Sequence, residues 1–158
     1  MFVRRVHSSI EANASAISRI RCGRIVTREG QLERIEQHWF ANHVSVAQVW
    51  WQNQRNSLDG DVCQLDFHVP WGMKAFVTLD YIRTGNQARY ATFIGACNVL
   101  NEVARLKNAY AIVAHVTNSN ISDRFLKRAG WERHLEDWPG RHFIRRMQPS
   151  VRIADAFG

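Results

Sequence analysis

The residues best suited to chemistry in this sequence are Asp66, His68 and Asp80. They fall, with Gln64 and Thr78, on the polar side of two alternating stretches whose apolar sides are Cys63, Leu65, Phe67 and Val69, and Ala75, Val77, Leu79 and Tyr81. A period of two is that of a β-strand. If Pro70-Trp71-Gly72 forms a three-residue hairpin loop with Gly72 left-handed, Val69 opposes Met73 and the polar faces of the two strands coincide. An imidazole beside two carboxylates titrates near neutral pH and can accept a proton from a substrate. A polar sheet face turned to water produces the same pattern without catalysis. His115, inside the apolar run 110–116, reads as a hydrogen-bonded core histidine.

A second group suits an anion. Arg83, Gly85, Asn86, Gln87 and Arg89 lie around the start of an apolar-striped segment at 88–107, with Gly95 and Ala96 further in. A helix start offers unpaired N–H groups and positive dipole charge, and glycine lets the backbone approach a phosphate. Gly85-Asn86 as a simple turn and Gly95 as a close-packing site are the alternative.

Other chemistries lack their residues. His38 and His43 are five apart rather than in an H-E-x-x-H pair, no cysteines have zinc-ligand spacing, and there is no G-x-S-x-G or Walker loop. Metal hydrolase and serine hydrolase readings drop out.

These groups need a framework. Residues 8–20 have a short helical phase. Residues 21–27 read as a strand leading to Thr27, an N-cap for a helix with Leu32, Ile35, Trp39 and Phe40 on one face. Residues 44–56 fit helix or strand, and Ser57-Leu58-Asp59-Gly60 is a turn. The helix at 88–107 carries Tyr90, Phe93, Ile94, Cys97, Leu100 and Ala104 in one stripe, and 110–116 suits a central strand. Asn118-Ser119-Asn120 caps a helix that Gly130 ends, and 131–135 and 142–147 close the order as strands. The strand-helix-strand crossover near 75–116 requires a partly parallel sheet in an α/β or α+β layered fold.

With 158 residues, 46% of them hydrophobic, the chain suits one domain and one core. We expect a basic arm or short helix at 1–20, a single domain at 21–147 and a tail at 148–158. Three cysteines without C-x-x-C spacing, and no span or secretory core of sufficient apolar length, point to a cytoplasmic protein with no membrane partner. The net charge of +7 rests on 21 Lys and Arg, of which only Lys74, Lys107 and Lys127 are lysines. Arg4, Arg5, Arg19, Arg21, Arg24 and Arg28 at one end, and Arg141, Arg145, Arg146 and Arg152 at the other, support a nucleic-acid partner as a rival reading. No RRM, KH or helix-turn-helix signature accompanies them. Oligomeric state is not legible.

The order of elements over residues 75–147 resembles the GNAT superfamily of acyl-CoA-dependent N-acyltransferases. Residues 74–82, 88–107, 110–116 and 119–131 take the places of that family's central strand, CoA-binding helix, second parallel strand and following helix. The segment Ser-Asp-Arg-Phe-Leu-Lys-Arg-Ala-Gly-Trp at 122–131 is similar to the family's Ala-x-x-Leu-Tyr-x-x-x-Gly-Phe ending. The resemblance implies a GNAT-like mixed, partly parallel sheet flanked by helices. It implies acetyl-CoA or another acyl-CoA as donor and an amine as acceptor, with direct transfer in a ternary complex. Arg83, Gly85, Asn86, Arg89, Gly95 and Ala96 would hold the CoA phosphates, the strand at 78–81 would align the acyl arm, and Asp66, His68 or Asp80 would take the proton. Two positions depart from the family pattern: Ile94 stands where the first phosphate-loop glycine belongs, and Leu126 where many members have a proton-donating tyrosine. A GNAT-like interaction module without catalysis is therefore a further alternative.

Overall fold

The structure, a computed structural model, describes residues 3–38, 58–117, 119 and 121–147. Its elements are β1 (Val3–His7), α1 (Ala14–Ser18), β2 (Cys22–Arg28), β3 (Gln31–His38), β4 (Val62–His68), β5 (Phe76–Thr84), α2 (Tyr90–Leu106), β6 (Ala111–His115), α3 (Asp123–Arg128), β7 (Glu132–His134) and β8 (His142–Arg146). The strands form one mixed sheet in the order β1-β3-β2-β4-β5-β6-β8-β7. The β5–β6 pair, joined through α2, is parallel, and the other pairs are antiparallel. The partly parallel sheet expected from the crossover is thus present, with three helices among the described residues.

The main departure is at residues 31–38, where the apolar spacing predicts a helix and the chain forms β3. Arg28 pairs with Gln31 across Glu29 and Gly30, whose φ angles are 52° and 81°. Two positive φ values in a two-residue loop match the twist of a tight hairpin. The helical appearance has a physical source in the register shift between Val26 and Thr27. Ile25 opposes Ile35 while Thr27 opposes Leu32, so Glu33 is the extra residue of a bulge. Leu32 and Ile35, three apart, then share the core face as they would on a helix. Trp39, Phe40 and the stretch 44–56 lie outside the described residues. Residues 3–7, expected as part of a basic arm or short helix, join the sheet as β1, and the predicted helix at 8–20 contracts to α1.

The hairpin between β4 and β5 is also longer than its pattern suggests. Pairing begins at His68 opposite Thr78, so Val69 does not oppose Met73, although Gly72 has the expected left-handed φ of 74°. A register shift again matters: Asp66 opposes Tyr81 and Phe67 opposes Leu79, which makes Asp80 the extra residue. The bulge puts Ile82 rather than Tyr81 into the core phase with Val77 and Leu79.

The core joins the inner face of the sheet to α2. Ile25, Ile35, Leu65, Phe67 and Val77 meet Phe93, Cys97, Leu100 and Val103 in one buried cluster. Beyond β6, the Ser122 side chain accepts from the Phe125 N–H at 3.2 Å, so α3 starts later than the predicted Asn118-Ser119-Asn120 cap. Gly130, at φ 90°, ends it as expected, and the Trp131 N–H reaches back to the Leu126 carbonyl at 2.9 Å. No helix among the described residues is long and apolar enough to cross a membrane.

Candidate functional site

Residues paired across neighbouring strands share a face. The register therefore lines up Glu36, Arg24, Asp66 and Tyr81 in a row across β3, β2, β4 and β5, on the side opposite the core cluster. Arg24 grips Asp66 with two parallel bonds, Nε to Oδ1 at 2.7 Å and Nη2 to Oδ2 at 3.0 Å. With Asp66 only 6% exposed and held in this fork, it is poorly placed as a base.

His68 and Asp80 meet one step further along this face. His68 Nδ1 lies 2.7 and 2.8 Å from the two carboxylate oxygens of Asp80. A carboxylate accepts only, so the proton of the neutral ring sits on Nδ1 and Nε2 is the basic nitrogen. Alternation from Thr78, which pairs with His68, puts Asp80 on this face. Of the three carboxylate and imidazole candidates, the structure brings His68 and Asp80 together and ties Asp66 to Arg24.

Asp80 also borders the place where β5 and β6 part. Their pairing ends at Leu79 opposite Ala114, and beyond it Asp80, Tyr81, Ile82, His115, Val116 and Thr117 surround a cavity of about 10 Å³, room for about one water. His115 is not the core histidine its apolar run suggests. It is exposed at this opening and stacks on His142, with ring centroids 4.4 Å apart. Burial and the neighbouring His142 lower its pKa, which favours the neutral ring.

The second group surrounds the start of α2. Every backbone N–H from Gly85 to Arg89 already has an acceptor. Gly85 donates to the Val62 carbonyl at 2.7 Å, Asn86 to Leu58 at 3.0 Å, Gln87 to Gly60 at 3.2 Å and Ala88 to Gly85 at 3.2 Å. The Arg89 N–H donates to Asp61 Oδ1 at 2.8 Å, and Arg89 Nε donates to Asp61 Oδ2 at 2.7 Å. In return Asn86 Oδ1 accepts from the Gly60 N–H at 2.8 Å. The Asp61 pKa falls to about 2, drawn down by the Thr92 hydroxyl, the Arg89 N–H and the Arg89 guanidinium. The Thr92 hydroxyl is buried and makes no bond of good geometry, so the two Arg89 contacts are the structural tie.

Asp61 takes up the Arg89 N–H and Nε, while the N–H groups of Tyr90 and Ala91 in the first turn of α2 have no bond to another described residue, so donors for an anion remain at the helix start. Gly95 and Ala96, expected in a phosphate cradle, lie within α2 instead. A Cβ on Gly95 would come within 2.8 Å of the Gly30 carbonyl oxygen, and Ala96 is wholly buried. The loop itself, through Gly85, Asn86 and Arg89, borders with Tyr90, Phe93 and Phe125 a cavity of about 380 Å³, a volume suited to a small ligand. Tyr90 and Phe125 pack with centroids 4.9 Å apart on its wall.

Asp61 escaped sequence reasoning because it lies 28 positions before the Arg89 it binds, and no local motif links them. The apolar neighbours of His115 make it read as a core residue; its place at the end of a strand after a parallel crossover is the signal that points the other way.

The arginines behind the nucleic-acid reading make many contacts within the chain. Arg24 pairs with Asp66, Arg28 with Glu33 and Arg146 with Glu132. Arg21 lies 3.4 Å over the Trp71 ring, Arg145 donates to the Ala129 carbonyl at 2.7 Å, and Arg141 pairs with Asp123.

No protein-family model and no curated protein matches the chain. Among solved structures it is similar to Tetrahymena GCN5, with TM-score 0.44 and 13% identity over 56% of this chain. It spans 62% of that structure's length. It is also similar to a nourseothricin acetyltransferase, with TM-score 0.47 and 14% identity over 91% of this chain and 98% of the other.

Proposed function

We propose that this chain is a GNAT-like acyltransferase that moves an acyl group from a thioester to an amine. The observation that carries the proposal is the His68–Asp80 pair, whose Asp80 borders the opening between β5 and β6. His68 Nε2 takes a proton from the substrate ammonium, Asp80 holds the ring and stabilises its cationic form, and the freed amine attacks the thioester carbonyl. The new C–N bond forms, the C–S bond breaks with its electron pair going to sulfur, and the second nitrogen proton passes to the departing thiolate, leaving an amide and a free thiol. A thiol with a pKa near ~8.5 is a good leaving group, so the buried Leu126 in place of an acidic tyrosine does not prevent the step.

The test is thiol release from acetyl-CoA and shorter thioesters across a panel of amines. Acylated amine formed in step with free thiol supports the reading; no transfer and no binding of any thioester overturns it. Nucleic-acid binding gains no specific observation here, because so many of its arginines bond within the chain. Flat, negligible affinity for nucleic acid at low salt removes it.

A further inference from the structure

We propose that the end of the sheet bearing the β4–β5 loop docks on an anionic lipid surface. The inference goes beyond acyl transfer and does not depend on it. The loop is compact, because the Met73 N–H donates to the Pro70 carbonyl at 3.2 Å and the Phe76 N–H to the Met73 carbonyl at 3.1 Å. These two turns leave Trp71 88% and Met73 52% exposed. Tyr110 adjoins them. Its N–H donates to the Ala75 carbonyl at 2.6 Å, and its ring, 58% exposed, meets Phe76 edge-on with centroids 6.1 Å apart. Apolar side chains gathered on one loop and its neighbour, and exposed to this degree, mark a contact surface.

Charge decides what the surface meets. The Arg21 guanidinium lies 3.4 Å over the Trp71 ring and its Nη2 donates to the Val69 carbonyl at 3.3 Å, so a cation and an indole are presented together. Lys74, next along the loop, is exposed, and so is Arg19. None of these three cations has an ion pair with a described residue. The segments that run to this end, 12–28, 69–79, 103–117 and 143–147, contain no Asp or Glu. Glu102, which precedes one of them, pairs with Arg105, and Glu132, which faces Ile144 across β7 and β8, pairs with Arg146.

A bilayer with anionic headgroups matches both halves of this pattern. Its phosphates and carboxylates meet the cations, while Trp71, Tyr110 and Met73 enter the boundary between headgroups and acyl chains, where amphipathic rings are stabilised. A nucleic-acid strand offers phosphates but no apolar layer for Met73. The expectation of no membrane partner rests on the length of apolar runs, which bears on spanning and not on surface contact. The β5–β6 pairing starts at Phe76 beside this loop and ends at Leu79, with the opening beyond, so the contact does not cover the opening.

The experiment is sedimentation of the full chain with vesicles of phosphatidylcholine alone, and of phosphatidylcholine and phosphatidylserine in equal parts. Binding to the anionic vesicles is expected to be about tenfold tighter or more, and to weaken as salt is raised. Lys74→Glu is expected to weaken it by about fivefold or more, and Trp71→Ala by about tenfold or more. Both side chains are exposed, so the variants should melt with the unaltered protein. Lipids brominated on their acyl chains should quench the fluorescence of the unaltered protein, and Trp71→Phe should bind while losing most of that quenching. Equal binding to both kinds of vesicle, or binding that Trp71→Ala and Lys74→Glu leave unchanged, overturns the inference. So does Trp71-dependent binding of single-stranded nucleic acid, or Trp71-dependent self-association, in a protein that no vesicle binds; the patch then belongs to that partner.

Discussion

Asp61 and Arg89 are joined twice, through the Arg89 backbone N–H at 2.8 Å and its guanidinium Nε at 2.7 Å, across the gap between the β4 entry and the start of α2. The pair keeps a carboxylate where a helix most favours negative charge. Folding lowers the Asp61 pKa from 3.8 to about 2. In that window the unfolded chain binds more protons, so stability rises with pH there. The contribution is complete above the unfolded pKa and is lost as pH falls through the folded one. Thermal unfolding of the unaltered protein and Asp61→Asn should therefore differ by a constant amount above about pH 5, and the difference should shrink from about pH 4 towards pH 2.

Gly85 has no room for a side chain. A Cβ there meets backbone atoms of Gly60 and Leu58, with the Gly60 oxygen at 2.2 Å, and backbone cannot rotate aside as a flexible side chain can. Gly85→Ala should cost about 1–3 kcal/mol, read as a lower melting temperature. Gly72 has open space around it, so Gly72→Ala should cost less, about 1 kcal/mol from its positive φ alone.

Arg24→Met removes the fork that holds Asp66, which stays 6% exposed. The loss should be about 3 kcal/mol or more by chemical denaturation, as for other broken buried pairs. Arg24→Met combined with Asp66→Leu should recover much of it, and the double-mutant cycle measures the coupling directly.

The proposed proton transfer separates His68 from Asp66. His68→Gln should lower kcat/KM for acyl transfer by about a hundredfold or more, and Asp80→Asn should lower it by removing the charge that steadies the ring. Both effects should appear mainly in kcat, with melting temperatures close to that of the unaltered protein. An equal fall in stability and activity would assign the pair a structural role.

The elements that could be read from the sequence are those whose contacts repeat at one period. The stripe from Phe93 to Ala104 in α2 and the apolar residues of β4 each lie on a single buried face, although β4 buries Gln64 and Asp66 on its other face as well. The two bulges interrupt that regularity. In β3, an extra residue places Leu32 and Ile35 three apart on one face, which a periodicity argument assigns to a helix. In β5, the same device moves Tyr81 out of the core. The proximity of His68 and Asp80 follows from strand phase, whereas the placement of Tyr81 does not. The Asp61–Arg89 tie depends on two loops meeting in space, for which residue spacing carries no signal.

The position of β1 also orders assembly in time. Residues 3–7 precede β2 and β3 in the chain, yet among the described residues they pair only with β3, which takes shape when the chain turns back at Glu29 and Gly30. A segment that precedes the hairpin in sequence must therefore wait for it before it can dock. Its amide hydrogens should gain protection from exchange after those of β2 and β3, making the outermost strand a late recorder of folding.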